Sequence, residues 1–173
     1  MTYRLTLCTR LERTCISPSG GELYLLVTLA APPAPAPDGR PPLNLAAVVD
    51  RSGSMAGAAL YFTKQALRFL VDQVAEADRL AIVTYDDEVR VPLASQPVAH
   101  KDAVKLLVDG ITAGGTTNLS GGLAAGMQQI RPHSGPERVS RVLLMTDGLA
   151  NVGVTDPDVL VGWARAWREK GLG

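Results

Sequence analysis

The sequence has few cysteines and few histidines, and each shortage excludes a class of site. Its two cysteines, Cys8 and Cys15, have no Cys or His neighbours that would complete a zinc site. We therefore expect both to be reduced, structural thiols. The two histidines, His100 and His133, lie at a predicted helix start and in a Pro/Gly-rich loop, so we expect surface positions rather than a general base.

The sequence also lacks an excess of charge and a long apolar run. Seventeen basic residues balance seventeen acidic ones, which removes the basic surface expected of a nucleic-acid or anionic-membrane binder. No secretory leader opens the sequence, and no apolar run approaches the roughly 20 residues of a membrane helix. We expect a cytoplasmic protein whose partners include neither nucleic acid nor a membrane.

The pattern of the chain changes at residue 42 and divides it into two predicted domains, 1–42 and 43–173. Two β-strands are predicted at Tyr3 to Thr9 and at Glu22 to Leu29, on either side of the turn signal SPSGG. The segment Ala31 to Pro42, APPAPAPDGRPP, has too few backbone donors for a helix or a sheet. It is predicted to be an extended connector.

From residue 43 onward, apolar strands alternate with segments of helical period, which is typical of an α/β fold. With 46% hydrophobic residues the chain can bury a sizeable core. The segment Glu88 to Leu93 follows Asp86-Asp87 as a tight hairpin and is predicted to be an edge strand. The buried strand candidates are Leu43 to Val49, Arg79 to Tyr85 and Arg138 to Thr146.

Apolar stripes at helical spacing predict four helices. The fourth begins after Thr155, where Asp156 and Pro157 provide a favourable helix start. Its two tryptophans, Trp163 and Trp167, are expected to pack in the core. The other three stripes run from Leu60 to Val74, from Val104 to Val108 and from Leu119 to Ile130.

The stretch LNLAAVVDRSGSM begins as a buried strand and ends in Asp50, Ser52 and Ser54. One interpretation is structural, with a serine capping the next helix and Asp50 near the helix dipole. Ligands of open α/β sheets, however, bind beyond the carboxyl ends of the strands. Two further segments should reach this edge, AGGTTNLSGG at Ala113 to Gly122 and LLMTDGLAN at Leu143 to Asn151.

These three segments bring together side chains that carry only oxygen. The set lacks the His and Cys that zinc or copper would favour, and hard oxygens select Mg²⁺, Mn²⁺ or Ca²⁺. Two carboxylates would balance a divalent charge and leave the ion able to accept one more anion. The candidates are Asp50, Ser52, Ser54, one threonine of the second segment and Asp147.

Three motifs in these segments resemble those of the von Willebrand factor type A domain and its metal-ion-dependent adhesion site. They are D-R-S-G-S at Asp50 to Ser54, T-N-L-S-G-G-L at Thr117 to Leu123 and T-D-G at Thr146 to Gly148. Their order and separation are also similar, and the flanking phrases resemble bacterial members. The resemblance covers about Leu43 to Gly171 and implies a Rossmann-like open, mostly parallel sheet with helices on both faces.

The resemblance also implies roles for individual residues. In such domains the two serines and the threonine bind the metal directly or nearly so, while the aspartates often act through coordinated water. Thr117 is preferred to Thr116 because Asn118 and a helix follow it, as in the family. The implied metal ligands are Asp50, Ser52, Ser54, Thr117 and Asp147.

Two features depart from the family pattern. The family sheet continues with two more strands and a final helix, so this sheet is expected to stop after its fourth strand and the following helix. In the family order the fourth strand, Arg138 to Thr146, lies next to the first and would be an exposed edge. We therefore expect a fragment or one half of a split protein, completed there by another chain or a swapped copy. The N-terminal strand pair resembles part of an interrupted β-domain.

The function that the resemblance implies is a non-enzymatic, divalent-cation-dependent protein-binding module. An Asp or Glu of the partner protein would complete the coordination of Mg²⁺, or of Mn²⁺ or Ca²⁺. Rim residues near the site would then select the partner. The rim candidates are Met55, Tyr85, Leu149 and Asn151.

Two alternatives remain open from the sequence. A metal-dependent phosphoryl-transfer enzyme could use Asp50 as its nucleophile, although Ser52 cannot supply the second acid that such enzymes need. A metal-free scaffold could instead hold Asp50 and Asp147 with backbone amides. A serine hydrolase is disfavoured because the G-x-S-x-G motif is missing.

Overall fold

The computed structural model describes residues 6–11, 24–30, 40–148 and 150–173, in two compact units, Met1–Arg40 and Pro41–Gly173. In the first unit, strands β1 (Thr6–Leu11) and β2 (Leu25–Ala30) pair antiparallel. The predicted N-terminal strand pair is therefore present, although its predicted first residues lie outside the described residues. Cys8 is an exposed free thiol in β1, and Cys15 also lies outside the described residues.

The second unit contains a four-stranded sheet in the order β5-β4-β3-β6. The central strand β3 (Leu43–Asp50) pairs in parallel with β4 (Arg79–Tyr85) and with β6 (Val139–Met145), whereas β5 (Val89–Pro97) runs antiparallel to β4. The predicted α/β architecture, a mostly parallel sheet plus an N-terminal strand pair, is confirmed. The helices are α1 (Ala58–Gln73), α2 (Lys101–Asp109), α3 (Leu119–Ile130) and α4 (Pro157–Glu169).

Alternate side chains of β3 enter cores on opposite faces of the sheet. Leu45, Ala47 and Val49 pack with residues of α1 and α2. Ala46 and Val48 pack with residues of α3 and with the partly buried apolar side chains of α4. Because side chains alternate along a strand, residue 50 falls on the α3 face, where the parallel register sets it beside Tyr85 of β4.

Both edges of the sheet differ from what the sequence predicted, one in the length of its strand and the other in its exposure. Strand β5 is the predicted edge strand, but it continues beyond Leu93 to Pro97. Strand β6 forms the other edge, as expected, yet part of its outer side is already paired. Leu172 forms a parallel bridge with Ser140, and the Val142 amide donates to the Gly173 carbonyl at 2.7 Å. The expectation of a fully exposed β6 edge is therefore wrong for its first half.

Helix α4 begins as predicted but is packed more loosely than predicted. The Asp156 carboxylate accepts a hydrogen bond from the Asp158 amide, and Pro157 opens the helix. None of the helix residues, all of them described, is fully buried. Trp167 packs against the α3-side core, whereas Trp163 is half-buried and contacts Trp167 at a ring distance of 6.0 Å. Full core packing of both tryptophans is therefore wrong.

A membrane-spanning helix is missing from the described part of the chain. No helix there is long and apolar enough to cross a bilayer.

Candidate metal centre

Asp50 is the last residue of β3, and its carboxylate is held from both sides in a fully buried position. Its Oδ1 accepts a hydrogen bond from the Ser52 amide at 2.8 Å. Its Oδ2 accepts one from the Thr146 hydroxyl at 2.7 Å and a longer one from the Tyr85 hydroxyl at 3.4 Å. These donors satisfy a buried carboxylate that would otherwise be costly to remove from water.

The hydroxyls of Ser52 and Ser54 do not cap a helix. Within the described residues, no side chain makes a capping hydrogen bond at the start of the short 3₁₀ turn Gly53–Met55 or of helix α1. Instead, the two serine Oγ atoms lie 3.1 Å apart, and Ser54 Oγ donates to Asp147 Oδ1 at 3.0 Å. The capping interpretation is therefore wrong, and the serine hydroxyls form a continuous row of oxygens with Asp147.

Thr117 belongs to the loop between α2 and α3, which lies against the loop after β3. The Gly53 amide donates to the Gly115 carbonyl at 3.1 Å, and the Gly114 amide donates to the Arg51 carbonyl at 2.8 Å. Thr117 is buried, with 4% of its surface exposed, whereas Thr116 is exposed. The structure therefore brings the three predicted segments together at the carboxyl ends of β3 and β6.

The predicted rim residues lie in different environments. Met55 is 2% exposed and packs in the core on the α1 side, and Tyr85 is completely buried. Neither side chain is accessible to a partner, so their predicted placement on the rim is wrong. Leu149 lies outside the described residues. Asn151 is exposed, and its Oδ1 accepts a hydrogen bond from the Thr117 amide at 2.8 Å.

The Asp50 carboxylate is supported by Tyr85 and Thr146. The sequence did not single out either residue as a partner of Asp50. Burial is the main cause that raises the pKa of Tyr85 well above its ordinary value, and the Asp50 carboxylate raises it further. A tyrosine phenol is protonated at neutral pH even at its ordinary pKa, so Tyr85 can donate to Asp50. The contact with Thr146 follows from the strand register. Val49 pairs with Met145 in parallel strands, so the next residues, Asp50 and Thr146, lie side by side.

His133 lies at the end of the sheet that is opposite to Asp50. His133 is exposed at the end of the sheet where β4 begins, and its Nε2 lies 3.2 Å from Nη2 of Arg79. Partial desolvation, followed by the charges of Arg79 and Arg138, lowers the pKa of His133. Asp50 lies at the other end of the sheet, so this histidine is not part of the candidate centre.

The oxygen spacing fits a small divalent cation. Neighbouring ligands of an octahedral ion with bonds of about 2.1 Å lie about 3 Å apart, which is the geometry that Mg²⁺ requires. The Ser52–Ser54 and Ser54–Asp147 oxygen distances are 3.1 and 3.0 Å. Within the described residues, no group of three His, Cys, Asp or Glu side chains could hold a metal. A cation at this edge would therefore depend on the hydroxyls.

The open, mostly parallel sheet with oxygen-bearing side chains at its strand ends makes this a Rossmann-like α/β domain. Comparison with known proteins shows its family. The family model of the von Willebrand factor type A domain matches residues 44–167. The chain belongs to this family.

Relatives of known sequence are much longer than this chain. YfbK of Escherichia coli (strain K12) is 35% identical over 133 residues, which cover 76% of this chain and 23% of that protein. Human inter-alpha-trypsin inhibitor heavy chain H3 is also 35% identical over 133 residues, with coverage of 71% and 15%. The matched region thus spans less than a third of the length of either relative.

Solved structures share the fold at low sequence identity. Proximal thread matrix protein 1 of the mussel byssus, in a structure with a zinc-occupied MIDAS motif, has a TM-score of 0.63 and 19% identity, covering 76% of this chain and 36% of that chain. A von Willebrand factor type A protein from Catenulispora acidiphila has a TM-score of 0.60 and 22% identity, covering 83% and 33%. At such identities the likeness establishes the fold.

Proposed function

We propose that this domain is a divalent-cation-dependent protein-binding module, in which an Asp or Glu of a partner protein completes the coordination of the cation. The observation that carries the proposal is the row of oxygens formed by Ser52, Ser54 and Asp147, with spacings of 3.1 and 3.0 Å. A set of ligands made only of oxygen favours a hard cation, Mg²⁺ or else Mn²⁺ or Ca²⁺. The residues that would hold the cation are Asp50, Ser52, Ser54, Thr117 and Asp147.

The burial of these residues supports approach of a partner from one side. Asp50 and Ser52 are buried, with 0% and 2% of their surface exposed, whereas Ser54 and Asp147 are exposed. A macromolecule can therefore reach the outer half of the centre, while the inner half is closed by the sheet. When bound, the cation would supply a positive charge that attracts and orients a carboxylate. The two aspartates would balance its own charge.

The same burial disfavours phosphoryl transfer. A nucleophilic carboxylate must reach the phosphorus atom of its substrate. Asp50 is completely buried, and both of its oxygens already accept hydrogen bonds. These observations favour binding over catalysis.

Cation-dependent capture of a partner from a whole-cell extract tests the proposal. We expect capture in Mg²⁺, loss of capture in EDTA, and loss with the double variant Ser54→Ala/Asp147→Asn. These two positions are exposed, so the double variant should stay folded, whereas Asp50→Ala would remove a buried group with three donors. Capture that is unchanged in EDTA would contradict the proposal.

We also propose that the outer edge of β6 is completed by a further strand, either from a complementing chain or from a swapped copy. Leu144 in the second half of β6 is 38% exposed, and the edge has begun a parallel pairing at Ser140. If a swapped copy completes the edge, the purified chain is a dimer by light scattering at micromolar concentration. A chain that stays monomeric at all concentrations would contradict swapping.

A further inference from the structure

The three loops that carry the proposed ligands touch one another pairwise and form a closed ring. The first loop follows β3, the second lies between α2 and α3, and the third follows β6. Ser54 and Asp147 join the first loop to the third through side chains. The Gly53 amide and the Gly115 carbonyl join the first loop to the second through the backbone. The remaining contact, between the second and third loops, is made by Asn151 and Val152.

Asn151 and its neighbour satisfy both backbone groups of Thr117. The Asn151 Oδ1 accepts from the Thr117 amide at 2.8 Å. The amides of Asn151 and Val152 donate to the Thr117 carbonyl at 3.1 and 3.2 Å. Thr117 is only 4% exposed. Removal of the Asn151 side-chain amide would therefore leave the buried Thr117 N–H without its acceptor.

The residues after Asn151 continue this contact along the start of α3. The Val154 amide donates to Ser120 Oγ at 2.9 Å. Gly153 has a φ of +76°, and a Cβ there would lie 2.4 Å from Ser120 Oγ. Close packing and a left-handed backbone both require glycine at this position. The third loop is therefore fitted against the residues that follow Thr117 as well as against Thr117 itself.

We propose that Asn151 is a positioning residue that couples the Thr117 loop to the Asp147 loop, so that the two move as one unit. It was predicted as a partner-contacting residue, yet its amide oxygen is directed to the Thr117 backbone. The coupling rests on the proposed function for its effect on a cation, because Thr117 and Asp147 are two of the five proposed ligands. In the absence of a cation, the coupling still acts on the backbone N–H and C=O groups of Thr117, through the Asn151 side chain and the amides of Asn151 and Val152.

Three substitutions separate this role from a general loss of stability. Asn151→Ala removes the acceptor for the Thr117 amide. Asn151→Asp puts a carboxylate oxygen at the same position and so keeps an acceptor there. Asn118→Ala is the matched control, because Asn118 Oδ1 accepts from the Gly121 amide at 3.0 Å in the first turn of α3 and therefore stabilises the start of the helix. If Asn151→Ala does not fold, Asn151→Gln replaces it, since its longer side chain moves the acceptor away from Thr117.

Hydrogen exchange of the Thr117 amide, measured by NMR in EDTA on the whole chain, tests the coupling without a cation. We expect faster exchange in Asn151→Ala and wild-type protection in Asn151→Asp and Asn118→Ala. Wild-type exchange at Thr117 in folded Asn151→Ala, or in the Asn151→Gln replacement, would overturn the coupling.

Calorimetric titration with Mn²⁺ tests the consequence for the site. Loss of a residue that orients a metal ligand typically costs about 10- to 100-fold in affinity, and we expect a loss of this size in Asn151→Ala. Asn151→Asp and Asn118→Ala should stay within about threefold of wild type. Affinity that is unchanged in Asn151→Ala would overturn the positioning role. If the wild type binds no Mn²⁺, the proposed function fails, and the exchange data alone decide the coupling.

Discussion

Arg51, the residue next to Asp50, forms a largely buried ion pair near the candidate centre. Its guanidinium lies 2.5 Å from the Asp86 carboxylate, and the two side chains are 13% and 5% exposed. Asp86 also accepts from the Glu88 amide, and its carbonyl accepts from the Asn118 amide. The pair therefore ties the loop after β3 to the β4–β5 turn and to the loop that carries Thr117.

Arg51→Met should destabilise the domain much more than the same change at an exposed pair. Removing one partner of a buried ion pair leaves the other charge without compensation, which typically costs about 3 to 5 kcal/mol. Arg68→Met is the control, because Arg68 and Asp109 are 37% and 48% exposed and such pairs contribute about 1 kcal/mol or less. Urea denaturation measures both free energies of unfolding. Equal losses for the two variants would contradict a special role for the Arg51–Asp86 pair.

Individual residues of the centre could be predicted to different degrees. The motif spacing predicted Asp50, Ser52 and Asp147 at the ends of two strands, and the structure places them within two residues of the ends of β3 and β6. Support from Tyr85 and Thr146 could not be predicted so directly, since it depends on the register between strands that are 35 and 96 residues apart. The placement of Met55 was wrong because the 3₁₀ turn directs its side chain into the core.

Helix α3 lies unusually close to the sheet beneath it. A Cβ at Gly122 would lie 2.5 Å from Cδ1 of Tyr85, and one at Gly126 would lie 2.5 Å from Cγ2 of Val48. The two glycines are four residues apart, so they occupy the same face of the helix. This face brings the N-terminal end of α3, and hence the Thr117 loop, close to Tyr85 and Asp50.

Gly122→Ala should destabilise the domain even though alanine favours helices. An added methyl group would have to displace the buried Tyr85 ring, and such overpacking costs about 1 to 3 kcal/mol. Gly162→Ala in α4 is the control, because a methyl group there meets no described atom within 4 Å and the helix gains up to about 1 kcal/mol. Thermal denaturation should therefore show a lower Tm for Gly122→Ala and a higher one for Gly162→Ala. Higher values for both would contradict close packing of α3.

Elements were easier to predict than their exact ends. Buried parallel strands read as continuous apolar runs, so β3, β4 and β6 were found within a residue or two. The end of β5 could not be predicted, because an edge strand needs hydrogen bonds on one side only and its sequence is less constrained. The depth of α4 was overestimated, since an apolar stripe does not reveal how much of the sheet lies beneath it.

At the scale of the whole molecule, the strand order explains why one edge collects the ligand candidates. The parallel strands β4, β3 and β6 are neighbours, so their carboxyl ends share one side of the sheet. Asp50 ends β3, and Thr146 and Asp147 follow β6. The Thr117 loop reaches the end of β4, where the Asn118 amide donates to the Asp86 carbonyl. The alternation of strands and helices predicted the α/β class and a shared strand-end edge, whereas the family resemblance implied that the fourth strand lies next to the first.

Calorimetric titration of the wild-type chain with Mg²⁺ and Mn²⁺, beside the Ser54→Ala/Asp147→Asn variant, measures whether these side chains hold a cation. We expect one divalent cation per wild-type chain and a loss of binding of at least about tenfold in the variant. A wild-type chain that takes up neither ion, or a variant that binds them as tightly as the wild type, would contradict this expectation.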